Sequence, residues 1–155
     1  MNNIRKAIPQ DACRLAEIEI FNYRLNFYPI FRNDEYYFGE LLVATLMAQY
    51  DEATLARTLV YDDGVVKGFL RMKGTQVEKL FVEPALQGQH IGAALMEKAL
   101  ALGADHLWAL EKNTRAIAFY ARHGFHPTGE RELEEDTEEY LLRLVLQDEG
   151  QIRNA

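Results

Sequence analysis

Residues Val82–Leu100 read VEPALQGQHIGAALMEKAL. An apolar strand ends at Val82, Pro84 interrupts it, and Gln87 to Ala93 lead into an amphipathic helix. No lysine or arginine lies in that lead-in. The first N–H groups of a helix lack internal partners and, with the positive end of the helix dipole, favour an anion. Glycine at 88 and 92 lets a bulky diphosphate approach the backbone closely. The competing account is an ordinary strand-to-helix turn, with Gly88 fixing the turn and Gly92 packed closely against the sheet. A Walker loop requires Gly-Lys before Ser or Thr, and a dinucleotide fingerprint requires G-x-G-x-x-G; neither is present.

The elements on either side place this stretch in an alternating fold. Asn3 to Ala7 reads as a strand, and Pro9-Gln10-Asp11 opens a helix, with Asp11 as its expected cap and Leu15, Ile18 and Phe21 or Asn22 at helical spacing. Asn33-Asp34 is expected to cap a second helix carrying Phe38, Leu42, Thr45 and Gln49 on one side. Thr58–Asp62 meets Val65–Lys73 across Asp62-Asp63-Gly64, a hairpin signal. Gln76–Val82 forms the next strand. The helix after it stops at Gly103. His106–Leu110 is a strand, and Asn113 or Thr114 starts a helix that Gly124 ends, with Ala116, Phe119, Tyr120 and His123 on one stripe. Phe125–Glu130 and Glu138–Leu146 close the pattern as two strands flanking an acidic loop. The fold class is therefore α/β (α+β), a mixed sheet of about six to seven strands with helices on both faces.

Composition bounds the function. The 155 residues carry 48% hydrophobic and 26% charged side chains, suited to a single domain over residues 1–147 followed by a frayed tail at 148–155. A net charge of −7 argues against nucleic acid as a partner. No stretch is apolar enough for a membrane span, and Pro9-Gln10-Asp11 after Arg5-Lys6 is not a signal peptide. The single cysteine, Cys13, fits a reducing cytoplasm. The sequence contains no serine, which excludes a serine nucleophile. His123-x-x-His126 has no cysteine beside it, so no metal is expected.

The stretch Gln87-Gly88-Gln89-His90-Ile91-Gly92 resembles the Q-x-x-G-x-G/A loop of the GCN5-related N-acetyltransferases (GNAT), after a strand end Leu80-Phe81-Val82-x-Pro84 similar to theirs. Asn113-x-x-Ala116-x-x-Phe119-Tyr120-x-x-x-Gly124-Phe125 resembles the family's second block. His90 stands where the motif has its first glycine. The resemblance implies acetyl-CoA as co-substrate. Its pyrophosphate is expected on the N–H groups of Gln89, His90, Ile91, Gly92 and Ala93, with Gln87 and Gly88 shaping the approach. Its pantetheine is expected along Leu80, Phe81 and Val82, whose N–H groups polarise the thioester, and beside Asn113 and Phe119. The resemblance also implies Tyr120 as general acid and a homodimer. Glu78 is the candidate base, placed by strand alternation on the face of Leu80 and Val82. The implied activity is acetyl transfer to a primary amine, of a small molecule or a peptide, by direct attack in a ternary complex; the alternative is a silent CoA-binding sensor. Phe21, Tyr23, Phe27, Tyr28, Phe31, Tyr36, Tyr37 and Phe38, with Asp34, Glu35 and Glu40, are either core or an acceptor wall suited to an ammonium group.

Overall fold

A computed structural model describes residues 2–147; the tail expected at 148–155 lies outside the described residues. Seven strands form one sheet in the order β1-β2-β3-β4-β5-β7-β6: β1 Ile4–Lys6, β2 Thr58–Asp62, β3 Val66–Lys73, β4 Gln76–Val82, β5 His106–Leu110, β6 Phe125–Leu133 and β7 Tyr140–Leu146. Every pairing is antiparallel except β4 with β5, which run parallel and meet only at Gln76 and His106. Beyond that contact the two strands part, and the gap between them is the main feature of the fold.

Helices cover both faces. On one lie α1 (Ala12–Asn26) and the short α2 (Tyr28–Phe31), α3 (Val43–Met47) and α4 (Glu52–Ala56), burying Leu15, Ile18, Val60 and Phe69. On the other, α5 (Ile91–Ala101) and α6 (Thr114–Arg122) cover Leu70, Val77, Val82 and Leu107. The α5 helix lies so close to β3 that a Cβ on Gly68 would meet the Phe81 carbonyl at 2.8 Å and Leu95 at 3.2 Å. At least eight buried side chains on each face, at about 1.5–3 kcal/mol apiece, make these two cores the main source of stability.

Three expectations are corrected. The helix expected after Asn33-Asp34 is broken: Leu41 and Leu42 leave helical geometry (ψ 82° and 154°), so a π turn over Tyr36–Glu40 and α3 replace one continuous helix. The acidic run does not form one loop, because β6 extends to Leu133 past a register shift between Pro127 and Arg131. Asp11 does not cap α1; its buried carboxylate accepts from the Ile8 N–H (2.8 Å) and from Arg5 (2.9 and 3.0 Å).

Candidate active site

The gap between β4 and β5 opens into a cleft of about 1150 Å³, larger than the 300–1,000 Å³ usual for a small-molecule pocket. At one end it meets the head of α5. From Gly88 through Ala93 no backbone N–H has a hydrogen-bond partner among the described residues, the first helical bond being Ala94 N–H to the His90 carbonyl. His90 is the N-cap and its side chain makes no capping bond. This run of unpaired donors fits a diphosphate.

The glycines divide the two accounts given above. Gly88 has φ +88° and open space where a Cβ would be, so it serves the backbone turn. Gly92 packs between the Phe119 ring of α6 and Val82 of the sheet, where an added Cβ would sit at ordinary contact distances of 3.4 and 3.7 Å. His90 has φ +66°, a left-handed conformation that glycine adopts without strain. The histidine at the motif's glycine position therefore keeps the loop's shape at some cost. Gln89 and His90 expose their side chains, and Gln89 contributes to the site only through its backbone.

Gln87 does not reach toward a ligand. Its Nε2 lies 3.4 Å from both the Val82 carbonyl and Asn22 Oδ1. Asn22, buried on α1, donates to the carbonyls of Ile18 and Val82 at 2.9 Å each. The end of β4 is thus tied to the first helix, and the Val82 carbonyl is not free for a ligand.

Along β4 the expectation of three free amides is also corrected. Antiparallel ladders alternate bonded and open pairs. Glu83 N–H donates to the Lys67 carbonyl, and the unbroken register pairs Phe81 with Phe69. Alternation therefore commits Phe81 to β3 and turns the N–H groups of Leu80 and Val82 toward the cleft.

Glu78 is not on the face that alternation assigns it. A register shift between Arg71 and Met72, with Met72 opposite Val77, leaves Glu78 as an extra residue in a bulge. A bulge breaks the two-residue period, so Glu78 meets Arg57 (2.6 Å) and Arg71 (3.6 Å) instead of Leu80 and Val82. Burial pushes its carboxyl up, but the hydrogen bond from Arg57 and the charges of Arg71 and Arg57 hold it below its ordinary value. It still lines the cleft, at the end remote from α5.

Asn113 caps α6, accepting from Ala116 N–H at 3.3 Å, and also lines the cleft. Ala116, Phe119, Tyr120 and His123, the stripe expected on this helix, form a wall of the cleft; none is fully buried. The Tyr120 hydroxyl has no hydrogen-bond partner among the described residues, and burial pushes its pKa to about 12. The same helix brings Arg115 and Arg122 to the cleft, which the sequence reading missed by looking for cations only in the loop before α5. Their i, i+7 spacing around Phe119 is the signal that would have found them. Among the described residues no group of three His, Cys, Asp or Glu side chains is arranged to hold a metal.

Residues 54–127 match the family described as acetyltransferase (GNAT) domain. Over those residues the chain is similar to the GNAT family, whose fold it shares. The peptidyl-lysine N-acetyltransferase YjaB of Salmonella typhimurium is 36% identical over 88 residues, 56% of this chain and 61% of that protein. YjaB of Escherichia coli is 32% identical over 76 residues, 48% and 52%. The chain thus spans about half to three fifths of the length of these relatives. The solution structure of apo YjaB from Escherichia coli has a TM-score of 0.73 at 23% identity, over 92% of this chain and 95% of that one. A PaiA N-acetyltransferase from Thermoplasma acidophilum, in complex with coenzyme A, has a TM-score of 0.66 at 17% identity, over 94% and 99%. Both have the same fold as this chain.

Proposed function

We propose that this protein transfers an acetyl group from acetyl-CoA to a primary amine, by direct attack of the amine within a ternary complex. The observation that carries this reading is the run of unpaired N–H groups from Gly88 to Ala93, at the mouth of a cleft whose other wall is open strand backbone. The diphosphate would lie on those amides, with Arg115 and Arg122 adding positive charge. The pantetheine would lie against the open edge of β4, as an added strand does.

Acetyl-CoA supplies an activated thioester. The protein's part is to hold and polarise it. The N–H groups of Leu80 and Val82 face the gap and suit a carbonyl oxygen that gains negative charge. Tyr120, with a pKa of about 12, stays protonated at any working pH. Full transfer to a thiolate with an ordinary thiol pKa of about 8.5 would be uphill by roughly 5 kcal/mol. Its role is therefore a hydrogen bond to the departing sulfur that strengthens as charge builds. Glu78, held by two arginines, is a poor base and is better placed as their partner than as the proton acceptor.

For the acceptor, the names of the two YjaB relatives favour a lysine side chain in a peptide. The cleft agrees in character: Phe27, Phe31, Tyr36 and Tyr37 wall its far end together with Glu40 and Glu134, an arrangement that suits an alkyl ammonium. The test pairs calorimetry with acetyl-CoA and a thiol-release assay with a lysine peptide. Micromolar binding with acceptor-dependent release is the expected result. Binding without release from any amine would favour the CoA sensor, and no binding would end the reading.

A further inference from the structure

Lys79 is the one lysine that lines the cleft, and it sits in a charged cluster that the reaction described above leaves unused. Its Nζ donates to Glu19 Oε2 (2.7 Å) and to the Tyr23 hydroxyl (2.6 Å). Glu19 is 1% exposed and also accepts from Tyr23 (2.9 Å) and Tyr50 (2.6 Å). Arg71, from β3, lies over the Tyr50 ring, and its buried Nε has no hydrogen-bond partner. Glu78 and Arg57 complete the set. Every charged or titratable group facing Lys79 is therefore named: Glu19 and Tyr23 from α1, Tyr50 ahead of α4, Arg71 from β3, Glu78 in the bulge and Arg57 before β2. Three cations meet two carboxylates, which leaves one positive charge in excess.

The opposite sign lines the mouth. Glu40, Glu134, Glu135 and Asp136 border the same cleft. The turn that carries the last three is held by Glu134 N–H to the Glu139 carbonyl (2.8 Å) and Thr137 N–H to the Glu134 carbonyl (3.1 Å).

We propose that Lys79, on the cleft wall, and Arg71, buried behind it, form a cationic floor that makes an acceptor ammonium give up its proton inside the cleft, beneath an acidic collar at Glu40 and Glu134–Asp136 that draws it in. The inference rests on the amine-acetylation reading. An alkyl ammonium at pH 7 cannot attack, because its lone pair is bonded to a proton. Fixed positive charge nearby disfavours the charged form, the same effect that activates a lysine beside another cation. The N–H bond breaks, its electron pair stays on nitrogen, and the proton leaves to solvent through the open mouth. Glu19 is a positioning residue: it keeps the Lys79 ammonium stable in a site whose burial alone lowers the lysine's pKa.

The acidic limb of kcat against pH reports ionisations in the bound complex, and is measured with acetyl-CoA and a lysine peptide. Lys79→Met removes the excess charge and is expected to move that limb up by about one pH unit, a tenfold lower kcat at a fixed pH on the limb. Lys79→Met/Glu19→Gln restores the excess by removing both members of the pair, and is expected to bring the limb back. Lys79→Arg should leave it in place. A purely structural role predicts the reverse order, the double variant being worse than the single. An unmoved limb in Lys79→Met, or a double variant displaced further, overturns the floor. If Lys79→Met does not fold, the double variant decides alone, since its limb must match the wild type. Neutralising the collar (Glu134→Gln/Glu135→Gln/Asp136→Asn) should raise KM at low salt without moving the limb; an unchanged KM overturns the collar. A wild type that releases no thiol with any amine refutes the parent reading, whereas turnover with an unmoved limb refutes only the floor.

Discussion

The two ends of the cleft were built from different materials. At the α5 end the groups proposed to bind are backbone amides from Gly88 to Ala93, together with those of Leu80 and Val82. At the α1 end they are side chains drawn from five separate parts of the chain: Glu19, Tyr50, Arg57, Arg71 and Glu78–Lys79. A backbone site is specified by local spacing, because glycine, strand end and helix start must follow in order. A side-chain site is specified by packing, and sequence order carries little of it.

Four variants sharpen that contrast. Tyr120→Phe should have the largest effect, a fall in kcat of at least about a hundredfold with the dissociation constant for acetyl-CoA unchanged by calorimetry. A kcat within twofold of wild type would remove Tyr120 from the chemistry. Asn22→Leu strips the Val82 carbonyl of its short hydrogen bond and should destabilise by about 1–3 kcal/mol in urea unfolding. A shift of less than half of that would mean Gln87 already suffices as partner.

Asp11→Asn addresses the structural ties outside the cleft. Burial opposes ionisation of Asp11, but the hydrogen bonds from Arg5 and the Ile8 N–H hold its pKa below 3.8. A carboxyl depressed in the folded state stabilises it above the unfolded value and loses that contribution as pH falls through the folded one. The difference in melting temperature between Asp11→Asn and wild type should therefore be full above the ordinary carboxylate range and shrink as pH falls below it. A difference unchanged by acidification would contradict the ion pair. His90→Gly should be the mildest change. It relieves a left-handed residue and is expected to gain up to about 1 kcal/mol with cofactor affinity retained; a loss of affinity would give the imidazole a role of its own.

The same contrast explains what the sequence made readable. Thr58–Asp62, Gln76–Val82 and His106–Leu110 form strands at the boundaries the pattern implied, because β-rich runs bounded by glycine leave little choice. Asn113 and Gly124 likewise bracket α6 as capping rules require. Glu78 was misplaced because a bulge cannot be seen in a single strand: it exists only in the register between β3 and β4. The breaks near Leu41 and Leu42 escaped notice for a related reason. No proline marks them, Gly39 lies before rather than at them, and Tyr37, Leu41 and Leu46 are buried in the core shared with α1, which tertiary packing decides. Arg115 and Arg122 were visible in principle, at helical spacing on either side of Phe119, and needed only a search of the opposite wall.

Among the described residues the two halves of the sheet are stitched together only at the ends of β4 and β5, by the Gln76–His106 pair and the neighbouring Asp105 N–H to Thr75 carbonyl bond. A molecule lodged above that stitch would act as mortar between two blocks, closing an edge that each leaves raw. Empty protein should then breathe about this seam, with the blocks loosening before either unfolds. Loading it should raise the melting temperature in step with ligand concentration, and should shield β5 from hydrogen exchange along with the strand that faces it.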